Sequence, residues 1–294
     1  MAREATAVTL FALGLILVAA VCHATWNLLA KRVPSGVPLV WLFGTLGALL
    51  YAPLALGVIL LQRPELGPSQ LLFILGSALL HIAYFLLLQH GYRGGDLSLV
   101  YPLARGTGPL LATLGAIALF GERPSLLALA GAALIIASIV ALTGSVRSLR
   151  RAWAADGAVV FGLLTGTVVA LYTLWDKHAV SVLAIPPVVL DWGTTTVRSL
   201  LLTPIAARRR REVRALWCEY RLMVMGMAVL VPLAYILVLT AMRVTPVSYI
   251  APAREVSILI GTAMGAHLLG EGDRRRRLLA ASGMLLGLVA LVLG

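Results

Sequence analysis

Two arginines stand inside otherwise apolar sequence, Arg105 in LVYPLARGTGPLL (99–111) and Arg254 in SYIAPAREVSILI (248–260). A guanidinium is always charged, and its planar fork of donors suits carboxylate, phosphate or phosphonate oxygens. The chemistry these residues suggest is therefore recognition of an anionic or zwitterionic small molecule. Pro102 and Pro109 accompany the first arginine, Pro246 and Pro252 the second, and each proline removes a helical donor where a ligand could approach. Tyr101 and Tyr249 lie close to the two Pro-Arg segments, and Tyr84 and Tyr235 occupy AYFLLL (83–88) and AYILVL (234–239). His23, Trp26 and Asn27 gather within about one turn, and His23 and Asn27, four apart, share a helical face. Together with Arg105 and Arg254, these tyrosines and the His23 group are the candidate substrate-binding residues.

Two carboxylates are candidates for proton coupling. Asp191 falls in an apolar segment where an acid can exchange a proton near neutral pH, and Glu255 follows Arg254 directly. Neighbours on a helix point about 100° apart, so a pairing of Glu255 with Arg254 would be indirect. Arg105 has no acidic neighbour in sequence, which leaves Asp191, Asp176 and Glu255 as its counter-ions. Asp191 and Arg198, seven apart, share a face two turns apart. His81 and His267 read as interior histidines, and Glu122 and Glu271 as residues that cap or pair at helix ends.

No residue set for catalysis stands out. HExxH, GxSxG and a protease-like aspartate pair are all missing from the sequence, and Cys22 and Cys218 give neither a disulfide framework nor metal spacing. The expectation is a protein that is not an enzyme and takes no cofactor or metal. An intramembrane enzyme and a channel-like membrane component are the alternative readings.

The elements that must position these residues follow from composition. Of the 294 residues, 60% are hydrophobic and 12% charged, and mean hydropathy is +0.96, far from the balance of a soluble domain. Apolar runs long enough to cross about 30 Å of hydrocarbon as helix follow one another. They predict ten transmembrane helices near 7–29, 38–61, 71–90, 97–120, 126–144, 157–176, 182–206, 222–242, 246–269 and 278–293. The runs are continuous and rich in Leu, Ala and Gly, which opposes a membrane β-barrel with its alternating strands. The first run continues through His23 to Ala30 and reads as a span rather than a cleaved signal peptide.

The net charge of +12 comes mainly from arginines in short loops. Membrane topology accounts for them without nucleic acid. Alternate loops, including Lys31 and Arg32, the linker SVRSLRRAW, Arg208 to Arg214 and Arg274 to Arg277, hold most of the basic residues. The positive-inside rule puts that side in the cytoplasm and both termini outside it, in a multi-pass protein of the plasma (inner) membrane. The arginine runs can also touch anionic lipid headgroups.

The chain repeats itself. TWNLLAKR (25–32) echoes LYTLWDKH (171–178), AYFLLL matches AYILVL, and LSLVYPLAR (97–105) matches VSYIAPAR (247–254) once one residue is dropped. Each Pro-Arg is followed about sixteen residues later by Gly-Glu, at Gly121-Glu122 and Gly270-Glu271. The halves, 1–150 and 151–294, hold five spans each. An odd number inverts the second half and creates a pseudo-two-fold axis in the membrane plane. The fold expected is an all-α integral membrane protein, with ten helices in two inverted five-helix repeats around a central cavity.

The paired segments YPLARGTGPLLATLGAIALFGERPS and APAREVSILIGTAMGAHLLGEGD resemble the EamA-like family of the drug/metabolite transporter superfamily. That resemblance covers nearly the whole chain. It implies a central cavity and export or exchange of small metabolites such as amino acids, nucleosides, sugars or their phosphates. HATWNLLAKR also resembles a sub-branch associated with phosphonate utilisation. The partners so implied are a small-molecule substrate and membrane lipid, with proton coupling; oligomeric state is open. The second half lacks counterparts of His23 and Asn27, so the expected site is asymmetric.

Overall fold

The computed structural model describes residues 10–94, 97–143, 158–260 and 274–294. Side chains at 88–103, 142–143, 158–159 and 274–278 are outside the description. All regular structure among the described residues is helical, as expected of a chain that must satisfy its backbone groups internally in hydrocarbon. The helices bounded within the described residues are, in order, α1 Leu10–Ala30, α2 Val37–Gln62, α3 Pro68–Gly94, α4 Leu97–Phe120, α5 Leu126–Thr143, α6 Ala158–Ser181, α7 Pro187–Arg208, α8 Arg210–Val244, α9 Val247–Arg254 and α10 Arg274–Leu293.

Four of these contain segments long and apolar enough, by length and composition, to cross a membrane: Leu10–Ala30, Val37–Gln62, Pro68–Leu87 and Arg210–Val244. Ala104–Phe120, Leu126–Ala141 and Leu279–Leu293 are shorter apolar helical segments. Asp176, Lys177, Asp191 and Arg198 make α6 and α7 more polar, and α9 is only 8 residues long. The expected ninth span is broken: α9 stops at Arg254, Glu255 forms a turn, and helix resumes over 256–260. The expected eighth span is extended instead, because α8 runs for 35 residues with a kink at Tyr220 (φ −125°, ψ 20°). Its N-terminal arm carries Arg210, Arg211 and Arg214, all exposed, and its apolar part begins beyond the kink.

Turn chemistry sets the helix ends. Pro38 and Pro187 sit in the first turns of α2 and α7, where a missing N–H costs no helical bond. Gly121 ends α4 with φ +64°, a left-handed conformation that glycine takes without a Cβ clash, and the chain then presents Glu122.

Helices α1 and α8, α2 and α7, α3 and α6, α4 and α6, and α5 and α10 pack against each other. Indole hydrogen bonds join two of these pairs, α3–α6 through Trp175 to the Phe73 carbonyl at 2.8 Å, and α2–α7 through Trp192 to the Ala48 carbonyl at 2.9 Å and Trp41 to the Thr203 hydroxyl at 3.0 Å. Where α5 meets α10, a Cβ at Gly131 would stand 2.5 Å from the Gly287 carbonyl oxygen, so only glycines allow that approach. The Gly283/Gly287 pair is thus an internal seam. Leucines such as Leu60, Leu61, Leu119, Leu126 and Leu222 point outward, while Ser77, Asp176, Asp191, Thr194 and Glu255 are buried. Polar groups inside and apolar groups outside invert the pattern of a water-soluble protein.

Candidate functional site

Arg105 of α4 reaches across to the second half of the chain. Its Nε lies 3.4 Å from Glu255 Oε2, and its Nη1 donates to Glu255 Oε1 at 3.5 Å. Its Nη2 lies 3.0 Å from His23 Nε2 on α1. The arginine side chain is 15% exposed and that of Glu255 4%, so this ion pair is enclosed but not sealed. Trp26 meets the His23 ring edge-on at 5.0 Å between centroids. Glu255 therefore counters Arg105 from the turn just beyond Arg254.

A second group forms around Tyr235 of α8. Its hydroxyl donates to Asp176 Oδ2 at 2.5 Å, and the Arg254 guanidinium carbon lies 5.9 Å from its ring centroid, within cation–π range. Tyr172 of α6 and His81 of α3 stack at 4.4 Å, His81 meets Tyr235 edge-on at 5.3 Å, and Tyr84 meets Tyr172 edge-on at 6.0 Å. His81 Nδ1 is 2.8 Å from the Ser77 carbonyl oxygen, which makes Nδ1 the protonated nitrogen when the ring is neutral. His81, Tyr84, Tyr235 and Arg254 are all half-buried, while Tyr172 and Asp176 are buried. Four helices thus bring aromatic faces and one guanidinium together.

A third charged pair lies on α7. Asp191 is 6% exposed, and the charges of Asp191 and Arg198 act on each other. Arg198 rests against α2, where a Cβ at Gly44 would be 3.9 Å from its Nη2. Ser199 Oγ also faces Gly44, and the hydroxyl oxygens of Thr45, Thr194, Thr196 and Ser199 are buried.

The helix that carries Arg254 is anchored by the first half of the chain. Glu122 accepts the backbone N–H of Val247 at 2.7 Å and of Ser248 at 2.9 Å, which serves two of the free donors at the start of α9. Lys177 donates from Nζ to the carbonyls of Met242 at 2.6 Å and Thr245 at 3.2 Å, at the end of α8. A carboxylate and an ammonium thus hold the α8–α9 turn from opposite helix ends. The repeated Gly-Glu has a structural role in its first copy; Gly270 and Glu271 lie outside the described residues.

Of the sequence candidates, Arg105 and His23 meet directly, with Trp26 against His23. Arg254 and Tyr235 also meet, and Tyr84 reaches this group through Tyr172. Asn27 spends its amide on the His23 carbonyl, at 2.8 Å within α1. Tyr249 does not join them: it is 2% exposed in the apolar core, with its hydroxyl 3.5 Å from the Gly294 carbonyl oxygen. The side chain of Tyr101 and all of His267 lie outside the described residues. Glu255 sits at the Arg105 ion pair and Asp191 beside Arg198. Sequence reasoning passed over Tyr172 and assigned His81 no part in the site, although Tyr172 aligns with Trp26 in the TWNLLAKR/LYTLWDKH echo.

An apolar exterior around enclosed charged pairs defines a multi-pass integral membrane protein with a polar interior. Residues 10–144 match the model of the EamA-like transporter family, so the resemblance carried by the Pro-Arg and Gly-Glu segments is shown for the first half of the chain. The fold is shared with solved structures. One crystal structure of a protein is similar over 96% of this chain and 96% of its own, with a TM-score of 0.72 and 16% sequence identity. No curated protein matches the sequence.

Proposed function

We propose that the protein is a secondary transporter that exports or exchanges a small anionic or zwitterionic metabolite, such as an amino acid, organic acid, phosphate or phosphonate compound. The single observation that carries this reading is the pairing of Arg254 with the aromatic group of His81, Tyr84, Tyr172 and Tyr235, half-enclosed among four helices. Among the described residues no carboxylate lies within 4.0 Å of the Arg254 guanidinium, which bonds the Tyr172 side chain instead and keeps further donors for a ligand anion. Arg105 and His23, in contact with each other and with Glu255 beside Arg105, form the other wall. Trp26 lines that wall, and Tyr101 and Tyr249 border the two arginine segments.

The reading includes two inverted halves, 1–150 and 151–294, that alternate access by rocking around this site. The packing pattern supports it. Under a correspondence of each helix with the one five places later, α1 against α8 is the mate of α6 against α3, and α2–α7 and α5–α10 pair with themselves. Membrane lipid and the transported solute are the partners of such a protein.

The test is exchange in proteoliposomes. Purified protein should show saturable, trans-stimulated exchange of one solute from a panel of amino acids, organic acids, sugar phosphates and phosphonates. Current without counterflow identifies a channel instead, and a chemically altered solute identifies an enzyme.

A further inference from the structure

We propose that Asp176 is a proton-binding site governed by Tyr235, whose hydroxyl bonds its carboxylate and whose ring lies against Arg254. The proposal rests on the transporter reading above and assigns to it a coupling ion and a residue.

The Asp176 carboxylate is 0% exposed. The Tyr235 hydroxyl donates to its Oδ2, the Ser77 hydroxyl also lies within reach of the carboxylate, and among the described residues Oδ1 has no hydrogen-bond partner. An ionised carboxylate offers about four lone-pair positions, and an enclosed one served only by neutral hydroxyls, with one oxygen left over, is poorly stabilised. A proton bound to Oδ1 removes that charge and leaves the Tyr235 bond in place.

The charges facing Asp176 from each neighbouring helix favour this assignment. From α7 comes Asp191, a like charge, with Oδ2 also lacking a hydrogen-bond partner among the described residues, and behind it Arg198. From α3 come Ser77 and His81; the His81 ring stacks on Tyr172 and is bonded to the Ser77 carbonyl. From α9 comes Arg254, while Glu255 is engaged by Arg105 of α4, which also holds His23 of α1. On α6 itself, Lys177 directs its ammonium away, to the carbonyls of Met242 and Thr245. None of these supplies Asp176 with a close charged donor.

Tyr235 connects the proton to the substrate. Its hydroxyl has one hydrogen to give. Donated to Asp176, that hydrogen supports the ionised acid. An anion seated on Arg254 competes for it, and a carboxylate deprived of it takes a proton from water. An O–H bond then forms on Asp176, no electron pair leaves the protein, and one arriving negative charge is matched by one proton. Release reverses the sequence. Because linkage is reciprocal, a bound proton favours anion binding to the same degree.

Infrared titration of the purified protein in lipid tests this without a transported solute. A neutral-carboxyl C=O band that titrates with pH should disappear in Asp176→Asn and persist in Asp191→Asn and Glu255→Gln. In Tyr235→Phe the band should survive to about tenfold lower proton concentration, since one hydrogen bond to the ionised form is gone. Tyr235→Phe keeps the carboxylate, so the test stands even if Asp176→Asn does not fold. A band that survives in Asp176→Asn, or one whose midpoint is the same in Tyr235→Phe as in the wild type, overturns the proposal. Either failure leaves the exchange assay as the separate judge of transport.

Discussion

The Glu122 carboxylate stands 2.7 Å from the backbone N–H of Val247, so a residue that closes the fourth helix fixes the start of the ninth. The contact joins sequence positions 125 apart and sets where Arg254 lies. Glu122→Ala should cost about 1–2 kcal/mol, the scale of a lost helix cap with charge assistance. Solute exchange should fall while the protein still reaches the membrane. Thermal unfolding in detergent checks the first outcome and proteoliposome exchange the second; an unchanged midpoint would remove the anchoring role.

The Arg105–Glu255 pair separates structure from binding. Breaking an enclosed ion pair from one side costs about 3–5 kcal/mol, whereas replacing both members by apolar residues costs far less. Arg105→Met and Glu255→Leu should each lower the unfolding midpoint, and the double variant should recover most of it. If Arg105 also binds solute, the stable double variant remains inactive in exchange. Recovery of exchange together with stability would reduce Arg105 to a structural partner.

At Arg254 the expectation concerns geometry as well as charge. Arg254→Ala should abolish exchange with normal membrane expression, and Arg254→Lys should restore only part of it, because an ammonium lacks the fork and the flat face that meets Tyr235. Wild-type rates in Arg254→Ala would reject the site.

The seam between α5 and α10 predicts a purely structural defect. Gly287→Leu would drive side-chain atoms into the backbone at Gly131 and Ile135, and overpacking of this kind costs about 1–3 kcal/mol. The measured consequence should be a lower unfolding midpoint and a lower yield of monodisperse protein. The exchange rate per folded molecule should remain near wild type.

What could be read from the sequence follows from contrast. Arginine, proline and the Gly-Glu pairs stand out against Leu and Ala, so the two arginine segments and their repetition were visible. Glu122 was expected at a helix end, and it caps one. Partners across the bundle were not visible, because nothing in LYTLWDKH states that α6 packs on α3 and α8, which is what brings Asp176 to Tyr235. Tyr249 shows a simpler limit. It lies five residues before Arg254, about 140° around the helix, so closeness in sequence placed it on another face. The break at Glu255 was hidden for a different reason: the apolar run continues through it, and Pro252 alone does not say at which residue the helix stops, which is where the Glu255 N–H bonds the Pro252 carbonyl.

The brevity of α9 has a mechanical consequence. Eight residues make a rod of about 12 Å, pinned at one tip by Glu122 and bearing Arg254 at the other. Swinging such a lever by about 20° would move its Arg254 end through about 4 Å, more than a hydrogen bond can stretch. A pivot at the capped end would therefore have to carry Glu255 as well, so any shift of the Arg254 guanidinium would also pull on the Arg105 ion pair.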